Sequence, residues 1–304
     1  FLKDENKTSN LEVNLQNVSN NTYFKIHDID TSLVNKEIDV LENTVNYDYY
    51  NEDIFFGATF SAFENLTINS RKKYEYLLPY LTFDKNLFVD EQYGALDLSS
   101  NLRIRNYDVN KQTEFFINDL NWKSKKWINN FGLESEFKSL LKTVNYQADN
   151  TEKFKNEKEV SELSGAFGYL AKLPLYKNNF ENKHSHLLTP KILVRYAPGH
   201  MRRASDGRLN YSNLFEINKA NEIDIVENGL STSIGINYKK NNLDNDNNII
   251  NEKVSASIGQ VISEKENRDM ASTTSLDQRF SDIVGATNLR LNDNFDFKYN
   301  FAID

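Results

Sequence analysis

Two histidines one residue apart, in His184-Ser185-His186, come nearest to a metal-ligating pattern in this sequence. In an extended strand, residues i and i+2 lie on the same side, so both imidazoles could meet one ion. No third ligand is close in sequence, and the other reading is a hairpin loop. Asp244, Asp246 and Asn248 echo a calcium loop. However, Ile249 stands where such a loop needs Gly, and Ser255 where it needs Glu. His200, Arg202, Arg203 and Arg208 form a basic cluster. It could hold phosphate groups through charge-assisted hydrogen bonds, or it could be a solvated loop. With 4 His, no Cys and no Gly-x-Ser-x-Gly, no nucleophile with a paired base is evident. The expectation is a protein that is not an enzyme, with no catalytic residue, no metal site and no cofactor.

The bulk numbers narrow the classes further. The chain has 304 residues, with 36 Lys plus Arg against 44 Asp plus Glu, a formal charge of −8. That balance argues against a nucleic-acid partner, because no basic excess exists to meet phosphates along a strand. The lack of cysteine excludes disulfides and thiolate sites within these residues. No apolar run reaches the roughly eighteen residues that a transmembrane helix needs. The opening FLKDENKTSN has neither the basic region nor the apolar core of a signal peptide, and Phe1 is an unusual first residue. The segment reads as part of a longer chain.

The elements that would position any site are strands. Leu11, Val13 and Leu15 alternate with Glu12, Asn14 and Gln16, and Ile54, Phe56, Ala58, Phe60 and Ala62 share a face. Leu96, Leu98, Leu102 and Ile104 oppose Asp97, Asn101, Arg103 and Arg105. Leu188, Ile192, Val194 and Tyr196 oppose Lys191 and Arg195, and Leu230, Ile234, Ile236 and Tyr238 oppose Ser231, Ser233 and Asn237. Ile283 and Leu289 share a face that Val284 interrupts, and FDFKYNFAID at the end has a period of two. FGLESEFKSLLKTVNY fits either a strand or a helical stripe, and DTSLVNKEIDVLENTV could hold a helical turn capped by Asp30 or Thr31. At about ten residues per strand plus a connection, the chain holds roughly fourteen to sixteen strands. No linker or fixed-length repeat divides it, so residues 1–304 read as a single domain.

So many consecutive antiparallel strands must curl, split or close. In lipid every backbone polar group needs an internal partner, so a sheet that crosses a bilayer closes on itself. The expected fold is all-β, an antiparallel transmembrane β-barrel of which this chain is a part. Its apolar face would meet acyl chains and its polar face a wet lumen. Arg103, Arg105, Glu134, Glu136, Lys191, Arg195 and Lys298 occupy lumen-facing polar positions on that reading. A soluble β-sandwich, as in an adhesin, also alternates, and the negative mean hydropathy favours it mildly.

Specific strings add a resemblance. LEVNLQNVSNNTYFKIHDID, YEYLLPYLTFDKNL around Leu78 and Pro79, and LLTPKILVRYAPGHMRR with Pro190 and Pro198 resemble, in this order, segments of the lipopolysaccharide-assembly family LptD, also called organic solvent tolerance protein. The stretch NYSNLFEINKANEIDIVENGLSTSIGINY is similar to that family's Asn-Leu-Phe … Asp-x-x-Glu-x-Gly segment, with Asn213, Leu214, Phe215, Asp224, Glu227 and Gly229 at the matching positions. Gly259 and Gln260 in SASIGQVI, and Ser281, Asp282 and Gly285 in the following strands, match as well. The chain departs where the family usually has Gly-x-Asp-Arg: here the residues are Glu222-Ile223-Asp224-Ile225. The family's frequent PNEDS loop appears only as RRASDG.

The resemblance implies a large outer-membrane barrel behind a periplasmic jellyroll. Such a barrel receives lipopolysaccharide from periplasmic bridge proteins and releases it to the outer leaflet through a gap between its first and last strands. An LptE-like lipoprotein plugs the lumen. On this reading the chain is the central portion of the barrel, without the jellyroll, the first strands and the last strands. Its partners are lipopolysaccharide, the LptE-like plug, the bridge proteins through the jellyroll, and outer-membrane lipid. Asp224 and Glu227 are expected to cap and close a turn-like loop. The alternatives are another outer-membrane barrel, a porin or receptor, or the soluble adhesin.

Overall fold

A computed structural model of the chain describes residues 2–4, 7–31, 37–154, 158–181, 183–220, 222–244, 248–292 and 295–304. Alternating apolar and polar residues, rich in aromatic and β-branched types, form strands almost throughout. The strands are β1 (Leu2–Asp4), β2 (Lys7–Asn14), β3 (Val40–Asn51), β4 (Ile54–Asn65), β5 (Tyr74–Asp90), β6 (Gly94–Tyr107), β7 (Lys111–Lys123) and β8 (Trp127–Ile128). They continue as β9 (Glu134–Asp149), β10 (Val160–Lys172), β11 (Leu175–Asn179), β12 (His184–Ala197), β13 (Gly229–Leu243), β14 (Ile249–Ser263), β15 (Ile283–Asn292) and β16 (Phe295–Ile303). One short helix, α1 (Tyr23–Ile26), and two 3-10 turns at Arg71–Lys73 and Ser272–Thr274 complete the described elements.

The sixteen strands make one sheet in the order β1-β2-β3-β4-β5-β6-β7-β9-β10-β12-β13-β14-β15-β16, with β8 beside β9 and β11 beside β12. The strand number meets the sequence expectation of roughly fourteen to sixteen. The stretch with two readings is strand β9. Its helical look arises because both of its faces carry apolar residues. Leu140 and Val144 are buried on one face, and Leu141 is exposed on the other. The helical turn expected after Asp30 falls largely on residues 32–36, outside the described residues, and strand β3 begins at Val40.

The described residues form two compact units. The first comprises Phe1–Phe88, Asp97–Leu120 and Thr143–Leu163, the second Val89–Leu96, Asn121–Lys142 and Ser164–Asp304. In the first, Phe115, Ile117, Val144 and Tyr146 pack together, with Phe154 and Val160 against them. In the second, the core lies between strands and loop. Leu170, Leu193, Val261 and Val284 from β10, β12, β14 and β15 bury against Ala204, Leu209, Leu214, Phe215, Ile225, Met270 and Leu276 from two long connections. Val284 interrupts its strand's apolar period because it points into this core, where it is fully buried.

Candidate functional site

Strand register in the second unit places side chains in rows. Gly168, Arg195 and Ser231 form one row across β10, β12 and β13. Leu170, Leu193, Ser233 and Val261 form the next, and Lys172, Lys191, Gly235, Gly259 and Val284 the third. Residues two apart on a strand share a face, so these rows lie on one face. That face is covered: Leu193 and Val261 are 0% exposed, Arg195 and Ser233 1%. The opposite face is bare. Ile192, Ile234, Ile236 and Ile258 are 38%, 46%, 43% and 46% exposed, and Phe167, Val194 and Leu230 are exposed beside them. A sheet in water does the reverse, hiding its apolar face and presenting its polar one.

The cover on the polar face is formed by residues 198–220 and 222–228 of the connection between β12 and β13. Glycines in the strands make room for it, as glycine inside a strand does where another backbone or side chain comes close. A Cβ on Gly235 would stand 3.0 Å from Phe215 Cζ, and one on Gly168 would stand 2.8 Å from Ile217 Cδ1. A Cβ on Gly259 would overlap Leu214. Lys138 of β9 donates to the Phe215 carbonyl at 3.4 Å and Lys142 to the Ile223 carbonyl at 2.6 Å. Ala204 N–H donates to Asp269 O at 2.7 Å, tying this connection to the one between β14 and β15.

Under the cover lies a buried charge cluster. Arg195 Nη1 is 3.2 Å from Glu227 Oε1, and Lys219 Nζ is 3.9 Å from Glu227 Oε2. Arg195 also donates through Nε to Ile217 O at 2.8 Å and through Nη2 to Glu227 O at 2.5 Å. Burial pulls the Lys219 amine down to about 8, and Glu227 opposes that shift. Arg202 grips Asp224 twice, at 2.7 Å to Oδ2 and 2.6 Å to the carbonyl. Arg202 is therefore spent inward and is no free member of the basic cluster read from sequence. Burial raises the Tyr211 hydroxyl to about 12.

The residues of the Asn-Leu-Phe … Asp-x-x-Glu-x-Gly segment belong to this assembly. Asn213 bonds the Asn210 N–H at 2.9 Å and the Arg208 carbonyl at 3.0 Å, which shapes the turn that presents Leu214 and Phe215. Asn218 shapes the turn locally, donating to Ile225 O at 2.8 Å and accepting from Glu227 N at 3.0 Å. Asp224 holds Arg202 across the same connection, and Glu227 holds Arg195 of β12. Gly229 opens β13 at φ +96°, a conformation that side chains disfavour.

The other polar candidates are distributed along the strands. Arg103 lies over the Phe115 ring at 5.2 Å. Arg105 donates to Glu75 at 2.7 Å. Glu134 pairs with Lys172 at 2.8 Å and Glu136 with Lys138 at 3.7 Å. Lys191 sits over the Phe215 and Tyr211 rings. Lys298 pairs with Asp296 at 3.5 Å and is largely exposed. His186 is engaged with the Tyr238 hydroxyl at 2.8 Å. Among the described residues no three metal-ligating side chains gather. Asp246 of the calcium-like stretch lies outside the described residues, while Asp244 accepts from Asn248 N at 2.8 Å.

Sequence reasoning missed Lys219, Lys138, Lys142 and Asn218, and no local signal separates them from other polar residues. Glycines at Gly168 and Gly235 inside alternating strands did carry a signal of close approach.

No curated protein matches this chain. The family model described as "LptD: LPS transport system D" matches residues 3–304. The chain belongs to this family of outer-membrane β-barrel proteins, which transport and assemble lipopolysaccharide.

Proposed function

We propose that the chain is a stretch of barrel wall in an outer-membrane lipopolysaccharide translocon, and that it moves its substrate without covalent chemistry. The observation that carries this reading is the exposed apolar face of β12–β14 opposite a covered polar one. Acyl chains of the bilayer meet the apolar face. Glu134, Glu136 and Lys191 face the lumen, as do Arg103, Arg105 and Lys298 on their strands. Arg195 is on the same side but serves as the anchor of the 198–228 cover.

The lumen admits the sugar and phosphate portion of the lipid. Its acyl chains leave sideways through a weakly paired seam between the first and last strands of the complete wall, where unsatisfied strand edges make opening cheapest. A lipoprotein plug of the LptE kind occupies the lumen, and a periplasmic jellyroll receives the lipid from bridge proteins.

Depleting the full-length protein in cells tests this. Newly made lipopolysaccharide should accumulate in the periplasm and disappear from the surface. Unchanged delivery to the outer leaflet would refute the transport role.

A further inference from the structure

Lys172 and Lys191 stand directly opposite each other across β10 and β12, on the covered polar face. Like charges placed so in a sheet repel and destabilise it. Packing does not require them, since the same row continues as Gly235 and Gly259. Lys172 is balanced by Glu134 at 2.8 Å, and Lys138 by Glu136 at 3.7 Å. Among the described residues no carboxylate pairs with Lys191. Its ammonium lies 5.5 Å from the Phe215 ring centre and 5.8 Å from that of Tyr211. Lys138 reaches the Phe215 carbonyl at 3.4 Å, so Lys138 and Lys191 both touch Phe215, with Lys172 across the strand. Among the described residues these three ammonium groups thus share two carboxylates, and one positive charge is left over.

We infer that Lys191, supported by Lys172 and Lys138, is a contact point for a phosphate group of the transported glycolipid. This rests on the lumen reading above. Ammonium groups are compact donors that meet phosphate oxygens from several directions. Glu134 and Glu136 hold the net attraction down, as a transit point requires: a site that binds too tightly does not release. The aromatic faces of Phe215 and Tyr211 fix the Lys191 ammonium where the excess charge is needed.

The test uses the full-length protein in detergent, titrated with fluorescent lipopolysaccharide and with the same lipid after enzymatic dephosphorylation. The parent should bind the phosphorylated form roughly ten-fold more tightly, the scale of one hydrogen bond between charged groups. Lys191→Met keeps the apolar stem and should lose most of that preference. Lys191→Arg should keep it, and Lys172→Met should weaken it. Heat-modified mobility on gels identifies variants that are folded. A Lys191→Met protein that is folded and has the parent's preference would overturn the assignment. Equal binding of both lipids by the parent would overturn it too, while leaving the transport reading intact. Binding of neither lipid would count against the transport reading itself. Displacement by inorganic phosphate at the lipid's own concentration would assign the site to free phosphate and overturn the glycolipid assignment.

Discussion

Arg195 and Glu227 face each other at 3.2 Å with side chains 0% and 4% exposed. One comes from strand β12 and the other from the end of the 198–228 connection, so the pair ties the cover to the wall. Lys219 shares the same carboxylate from 3.9 Å. Removing one partner from a buried pair costs roughly 3–5 kcal/mol, because the other charge is left uncompensated. Glu227→Gln should therefore lower the urea midpoint of the protein in micelles by a large margin, since it leaves two cations together. Adding Lys219→Met to that variant removes one of them and should recover part of the loss. A double variant weaker than Glu227→Gln alone would mean that Lys219 does not belong to the cluster.

The fit between wall and cover can be tested one atom at a time. A methyl group on Gly168 would stand 2.8 Å from Ile217 Cδ1 and 3.2 Å from Leu193 Cδ1. Overpacking of this kind costs about 1–3 kcal/mol. Ile217→Val removes the nearest atom and on its own costs roughly 0.5–1.5 kcal/mol. The Gly168→Ala and Ile217→Val pair should together cost less than the sum of the two. Simple additivity in a double-mutant cycle would show that Ile217 does not rest on Gly168 in the folded protein.

The Lys219 amine gives the cover a pH dependence. Its folded value of about 8 lies below the ordinary 10.5, because burial disfavours the charged form. The folded state thus binds its proton less well than the unfolded state. The cost of charging the amine is fully present below pH 8 and is relieved as pH rises toward 10.5. Stability should rise across that window by an amount on the order of a few kcal/mol at most. Tyr211 opposes the rise at the top of the window, because its unfolded phenol ionises from 10.0 while burial holds the folded one protonated to about 12. Lys219→Met should flatten the rise. Limited proteolysis of the 198–228 connection at several pH values would measure it, and a decline in the parent across pH 8 to 10 would contradict the assignment.

Period two in the sequence located most strands, because one face of each meets a single kind of environment. Ile192, Val194 and Tyr196 were legible as one face of β12, and all are exposed. Strand β9 was less legible because Leu140, Val144 and Tyr146 are buried by residues on the face expected to be polar. The cover itself was invisible to periodicity. Its described residues form no regular element between β12 and β13, and the buried ones Leu214, Phe215, Ile217, Ile225 and Val226 follow the contours of the wall. The motif residues flagged Leu214 and Glu227, but their meaning depended on Gly259 and Arg195, which lie more than thirty positions away in sequence. Pairing over such a distance leaves no local pattern to read.

Ile234 separates the lipid-facing reading from any soluble one. It is 46% exposed and lies in a row with Ile192 on the bare face of β12 and β13. In water, changing so exposed a residue to lysine is close to neutral, within about 0.5 kcal/mol, and often aids solubility. In a bilayer the same change places an ammonium against acyl chains and costs roughly 2–4 kcal/mol near the midplane. Ile234→Lys should therefore assemble poorly into liposomes and unfold from them at lower urea. The adjacent Ser233, 1% exposed on the covered face, supplies the contrast. Ser233→Ala keeps the small volume and adds no charge, so it should change the midpoint in lipid far less. If Ile234→Lys assembled and resisted urea as the parent does, the bare apolar face would not be the one that meets lipid.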